Sequence, residues 1–95
     1  MTRNQIRKCE DIANHYGKHQ QEEQTISELS ELLCVLTRRQ SQRGIDWKNN
    51  LVDEIADVEI MLRQMVFVHG LDADEINERI NYKLNRQLDR MKGDG

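Results

Sequence analysis

Apolar residues recur along this chain at intervals of three and four, and no proline interrupts them. From about Trp47 to His69, Leu51, Ile55, Val58, Leu62 and Met65 alternate at four and three residues. That spacing lines one face of an α-helix and leaves no face for a strand. Three further stretches repeat it. From about Asn4 to Tyr16 the apolar set is Ile6, Cys9, Ile12, Ala13 and Tyr16. From about Gln20 to Gln40 the seam is Ile26, Leu29, Leu33 and Leu36, widened by Leu32 and Val35. From about Ala73 to Lys92 it is Ile76, Ile80, Leu84, Leu88 and Met91. No segment alternates with period two. The chain is expected to be all-α, a four-helix bundle type of fold in a single domain over residues 1–95.

Short polar breaks separate the helices. Gly17 stops the first, Ser41 to Asp46 with Gly44 follows the second, and Gly70 ends the third. Asp46 is a suitable N-cap for the third helix, and Asp72 with Glu75 gives a capping-box-like start to the fourth. Gly93 and Gly95 mark a frayed tail over 93–95. With 37% apolar and 33% charged residues, the chain has a modest core for seams of this length. Ile60, Val66 and Phe67 are expected to be covered by a second copy, in a homo-oligomer (a dimer or tetramer).

Two acidic pairs, Glu28-x-x-Glu31 and Glu54-x-x-Asp57, lie inside the second and third helices. A spacing of three places both carboxylates of a pair on one helix face. If the two helices pack antiparallel across the short break, four carboxylates converge. Each pair is interleaved with apolar residues: Leu29, Leu32 and Leu33 around the first, Ile55, Ala56 and Val58 around the second. Partly buried carboxylates repel one another unless a cation or a base neutralises them. A metal ion and an unusual set of salt bridges both meet that requirement. An all-oxygen donor set suits a hard cation, Mg²⁺ or Mn²⁺. Di-iron bundles use Glu-x-x-His pairs instead, whereas His15, His19 and His69 lie outside these pairs.

Arg79, Lys83, Arg86 and Arg90 form a basic stripe on the fourth helix. Arg79 and Arg90 suit a solvated face, while Lys83 and Arg86 are placed mid-helix, where they can lean toward the acidic cluster. The chain lacks a glycine-rich phosphate loop, so a polyphosphate would be held by metal and basic side chains.

A net charge of −3 argues against a nucleic-acid polymer as partner. The apolar stretch Val58 to Val68 is interrupted by Glu59, Arg63 and Gln64, so no membrane span is expected. Met1 to Asn14 has no continuous apolar run of the signal-peptide kind. Cys9 and Cys34 lack metal or redox spacing and suit reduced thiols of a cytoplasmic protein.

The run Tyr16-Gly17-Lys18-His19-Gln20-Gln21, with Ile26-Ser27-Glu28-Leu29-Ser30-Glu31-Leu32-Leu33, resembles the start of MazG-like nucleoside triphosphate pyrophosphohydrolases. The run Asn50 to Leu62, with Glu54 and Asp57, resembles their second motif, and Lys83-x-x-Arg86 their basic element. The likeness spans roughly Tyr16 to Arg90. Ser27 stands where family members often carry a further acid. The resemblance implies an all-α, oligomeric, Mg²⁺-dependent enzyme that hydrolyses (deoxy)nucleoside triphosphates between the α- and β-phosphates. By position, Glu28, Glu31, Glu54 and Asp57 would be metal ligands, and Lys83 and Arg86 would contact phosphate. Glu31 is the carboxylate chosen to orient the attacking water.

Gln21, Trp47, Asn77 and Asn81 are the side chains suited to base or sugar contacts, with Trp47 equally suited to anchor a helix start. Two other readings account for the helices: an adaptor or antitoxin-like interaction module, and a nucleotide-binding family member without turnover.

Overall fold

A computed structural model describes residues 1–94. Its order is α1 (Arg3–Tyr16), α2 (Lys18–Thr37), a 3-10 turn (Gln40–Gln42), α3 (Trp47–Val68) and α4 (Ala73–Asp94). The described residues contain no strand, as the periodicity requires. Helix α2 ends three residues earlier than the spacing predicts, and Gln40 belongs to the 3-10 turn instead. Helix α4 runs through Gly93 to Asp94. Gly95 lies outside the described residues.

The helix ends follow local chemistry. Thr2 and Gln5 form a reciprocal capping box at the start of α1, satisfying two amides the helix leaves open. Gly17 joins α1 to α2 with φ +85° and ψ 165°, a conformation essentially confined to glycine. At the end of α3, Gly70 has φ +62°. Its amide donates to Phe67 O, and the Leu71 amide donates to Val66 O, the paired bonds of a Schellman stop. Asp46 occupies the N-cap of α3 without a side-chain bond to it. Asp72 accepts from the Asp74 amide at 2.9 Å, while Glu75 pairs with Arg79 within α4 rather than closing a box.

Helices α2 and α3 form an antiparallel hairpin, and α1 packs against both. The hairpin is tied at both ends. Near its turn, the Trp47 indole N–H donates to Val35 O at 2.9 Å. The Arg43 guanidinium lies 3.9 Å from the Trp47 ring centroid and donates to Arg38 O and Leu36 O. These donors satisfy carbonyls that the end of α2 leaves free. At the far end, His69 Nε2 lies 2.9 Å from Glu22 Oε1.

The face that α2 buries differs from the apolar seam read in its sequence. Ile26, Leu29, Leu33 and Leu36 are exposed. The inward line is Gln21, Thr25, Glu28, Leu32 and Val35, stepping four, three, four, three. Its counterpart on α3 is Leu51, Glu54, Val58 and Met61, with Gln64 beyond. Glu28 and Glu54 therefore occupy seam positions that a helix pair ordinarily fills with aliphatic side chains.

Every described residue of α4 is exposed, including Ile80, Leu84, Leu88 and Met91 of its apolar stripe. The radius of gyration is 16.5 Å, against about 12 Å for a compact domain of this length. The accessible surface is 7779 Å², roughly 2,000 Å² above the area that scaling gives for a compact monomer of this mass. No helix is long and apolar enough to cross a membrane among the described residues.

Candidate metal centre

The antiparallel register of α2 and α3 sets Glu28 and Glu31 opposite Glu54 and Asp57. One carboxylate oxygen from each of the four lies within 4.8 Å of the other three. The spacing of three within each pair and the short turn between helices produce this convergence. Glu28, Glu54 and Asp57 are half-buried and Glu31 is exposed, so the cluster is open on the Glu31 side.

Its electrostatics are unbalanced. No lysine, arginine or histidine forms a salt bridge with any of the four among the described residues. The one neutral donor is Gln24, whose Nε2 donates to Glu28 Oε1 at 2.8 Å. The second oxygens, Glu28 Oε2 and Glu54 Oε2, are sealed from solvent and have no hydrogen-bond partner. Burial pushes the Glu28 carboxyl above the usual glutamate range, and the nearby Glu31 and Asp57 charges add to that; the Gln24 bond opposes it. Of the two neutralisers that the sequence leaves open, a salt-bridge network is not present among the described residues. Four converging carboxylates, two of them bearing an orphaned oxygen, fit a hard divalent cation.

The other expected site residues are distributed differently. Lys83, Arg86, Asn77 and Asn81 all lie on exposed α4, which makes no hydrogen bond or salt bridge to another helix among the described residues. The Arg86 guanidinium lies 5.9 Å from the Tyr82 ring centroid on its own helix. A single chain therefore does not bring the basic stripe to the carboxylates. Trp47 holds the end of α2, as described above. Gln21 is buried at 4% exposure and accepts a hydrogen bond from Gln64 Nε2.

Gln64 is a residue that apolar patterning passes over. It is only 1% exposed, a level rare for a glutamine. With Gln21 it lines a cavity of about 580 Å³ between the end of α1, the start of α2 and the middle of α3. Gln24 lines the same cavity and donates to Glu28, which does not itself line it. Cys9 is buried and Cys34 exposed, both as free thiols. Burial raises the Cys9 thiol, with Arg63 opposing and Glu10 reinforcing the shift.

Comparison with protein-family models, curated proteins and solved structures found no match to this chain.

Proposed function

We propose that the chain is a MazG-like nucleoside triphosphate pyrophosphohydrolase, converting (deoxy)nucleoside triphosphates to monophosphate and pyrophosphate with Mg²⁺ or Mn²⁺. The observation that carries this reading is the meeting of four carboxylates with no cationic partner among the described residues, two with an oxygen that is buried and unbonded. A helical adaptor gains nothing from such a cluster, because each uncompensated buried oxygen costs stability.

Glu28, Glu31, Glu54 and Asp57 would hold the cation. When bound, it supplies Lewis-acid charge for phosphate oxygens and acidifies water. Glu28 and Glu54, fixed in the helix seam, set the geometry. Gln24 orients Glu28 through its Oε1. Glu31, exposed on the open side of the cluster, would accept a proton from water and orient it for attack in line with the departing pyrophosphate.

Lys83 and Arg86 would neutralise the departing phosphates. Helix α4 stands free of its own chain, so we assign these cations to the site of a second copy. The surface excess supports assembly: about 800 Å² per partner suffices for a standard interface, and obligate dimers bury more. The exposed stripe of α4 and the exposed Ile26, Leu29, Leu33 and Leu36 of α2 are the apolar faces available for it.

The test is pyrophosphate release from a panel of ribo- and deoxynucleoside triphosphates, with Mg²⁺ and with EDTA. Metal-dependent release with monophosphate as co-product is expected. No turnover of any triphosphate in Mg²⁺ or Mn²⁺ would leave a binder or an interaction module.

A further inference from the structure

Helix α1 covers only one side of the α2–α3 hairpin. At about 100° per residue, Gln20 and Gln24 of α2 and Ile60 and Gln64 of α3 fall to one side of the inward-facing lines. These residues line the cavity beneath Ile12 and Tyr16 of α1. The exposed Ile26, Leu29, Leu33 and Leu36 of α2 and the exposed Ile55 and Leu62 of α3 fall to the other side. In an antiparallel pair, the same rotational sense on both helices leads to the same side, so the two stripes form one open apolar face. By the same spacing Glu31 lies on the α1 side, so covering this face leaves the carboxylates accessible.

The face is two helices wide and about 30 Å long, roughly 600 Å² in projection with helices about 10 Å apart. A standard protein interface buries about 800 Å² per partner, so the same face on a second copy is a cover of suitable size. Pairing the face with itself permits two orientations. A two-fold axis along the hairpin sets both α2–α3 turns at one end, whereas an axis across it sets each turn against the opposite end of the other copy.

Charge separates the two. Arg38, Arg39, Arg43 and Lys48 gather at the turn, against the single acid Asp46. Arg38, Arg39 and Lys48 form no salt bridge among the described residues. The opposite end, where α2 starts, α3 stops and α4 begins, has the reverse sign. Glu22, Glu23, Asp72, Asp74, Glu75 and Glu78 stand there, and Lys18 is the one lysine or arginine in residues 18–23 and 69–78. Of these acids, Asp72, Asp74 and Glu78 have no cationic partner among the described residues. Arg3, Arg7 and Lys8 belong to α1, on the other side of the hairpin. Like ends together would set unpaired arginines against one another, and opposite ends together pair both signs. Complementary charge at the borders of an apolar seam selects the direction of helix pairing.

We propose that the open face of the α2–α3 hairpin is covered by the same face of a second copy, with the two hairpins reversed so that the basic turn of each lies against the acidic end of the other. The orientation rests on the assembly assigned above and is independent of the chemistry at the carboxylates. Because α4 begins at the acidic end, reversal also starts each α4 beside the turn of the other copy, the end of the hairpin nearer the carboxylates.

Ile45 stands at the turn with 99% of its surface exposed, so a spin label there leaves the fold undisturbed. The carrier is Cys34→Ser/Ile45→Cys, since Cys34 is exposed and Cys9 buried. Pulsed dipolar spectroscopy on the dimer should give a label separation of about 30 Å or more, the length of the hairpin. Turns at the same end would bring the labels within about 20 Å. Charge reversal gives a second reading, by sedimentation of variants matched for helicity. Arg38→Glu/Arg39→Glu and Asp74→Lys/Glu78→Lys should each weaken association about tenfold, and mixing the two proteins should restore it to within about threefold of wild type.

A separation below about 20 Å, or charge variants that each associate as the wild type does, overturns the proposal and leaves the assembly itself standing. A monomeric protein overturns both. Pyrophosphate release, measured separately, decides the reaction whichever orientation is found.

Discussion

Replacing Glu28 by glutamine changes one oxygen to an amide nitrogen and should stabilise the metal-free protein. In the wild type, Glu28 Oε2 is buried without a partner, on a side chain that converges with three further carboxylates. The amide introduced by Glu28→Gln brings donors to that position, while its oxygen still accepts from Gln24. An unsatisfied buried polar group costs about 1–3 kcal/mol. Because Glu28 is half-buried rather than enclosed, the low end applies, about 1 kcal/mol, or roughly 4–8 °C in melting temperature for a domain of this size.

The sign depends on pH. Burial raises the Glu28 carboxyl above its ordinary value. The corresponding stability is present below the ordinary glutamate range and lost as pH rises through the raised value. The variant should therefore gain over wild type at neutral pH, and the difference should shrink in acid. Thermal melts in EDTA across that range, followed by circular dichroism, measure it. Adding Mg²⁺ or Mn²⁺ should reverse the order, since ligand at about a hundredfold its dissociation constant contributes about 2.7 kcal/mol to the form that binds it. A Glu28→Gln protein no more stable than wild type in EDTA at neutral pH would refute the claim that this oxygen is uncompensated.

Further outcomes follow from the same structure. Light scattering should give a dimer or tetramer, and Leu84→Glu on the α4 stripe should shift it toward monomer; a monomeric wild type would contradict assignment of α4 to a second copy. If Lys83 and Arg86 act across chains, inactive Glu54→Gln protein mixed with the inactive Lys83→Ala/Arg86→Ala protein should regain part of the activity; no recovery after verified subunit exchange would count against it. Trp47→Phe removes the indole bond to Val35 O and should cost about 1 kcal/mol, read by denaturant titration, with an unchanged midpoint refuting the anchor role. Thiol titration should leave Cys9 protected until the chain unfolds; modification in the native state would contradict its burial.

The two acidic pairs were legible in the sequence because their spacing is local. A separation of three fixes both carboxylates on one face, and the short connection from α2 to α3 dictates an antiparallel return. The burial of α2 was less legible. Hydrophobicity selects Ile26, Leu29, Leu33 and Leu36, yet the chain turns inward the line containing Gln21, Thr25 and Glu28. An apolar stripe promises burial without specifying whether the same chain or another copy provides it, and the line that α2 turns inward has only Leu32 and Val35 as apolar members. Gln64 was invisible for a related reason. A lone amide in an apolar helix reads as surface, and only the facing of Gln21 across the hairpin reveals it as half of a pair. Helix α4 was legible as an amphipathic helix, but where its apolar face docks is not encoded by its own periodicity.

The most direct measurement is pyrophosphate release in Mg²⁺ by wild-type protein and by Glu54→Gln, with both proteins matched for helicity. Glu54 contributes to the convergent carboxylates and bears one of the two orphaned oxygens. Turnover by the wild type that Glu54→Gln abolishes is the predicted result. Equal turnover by both proteins would place the chemistry away from this cluster and contradict the account.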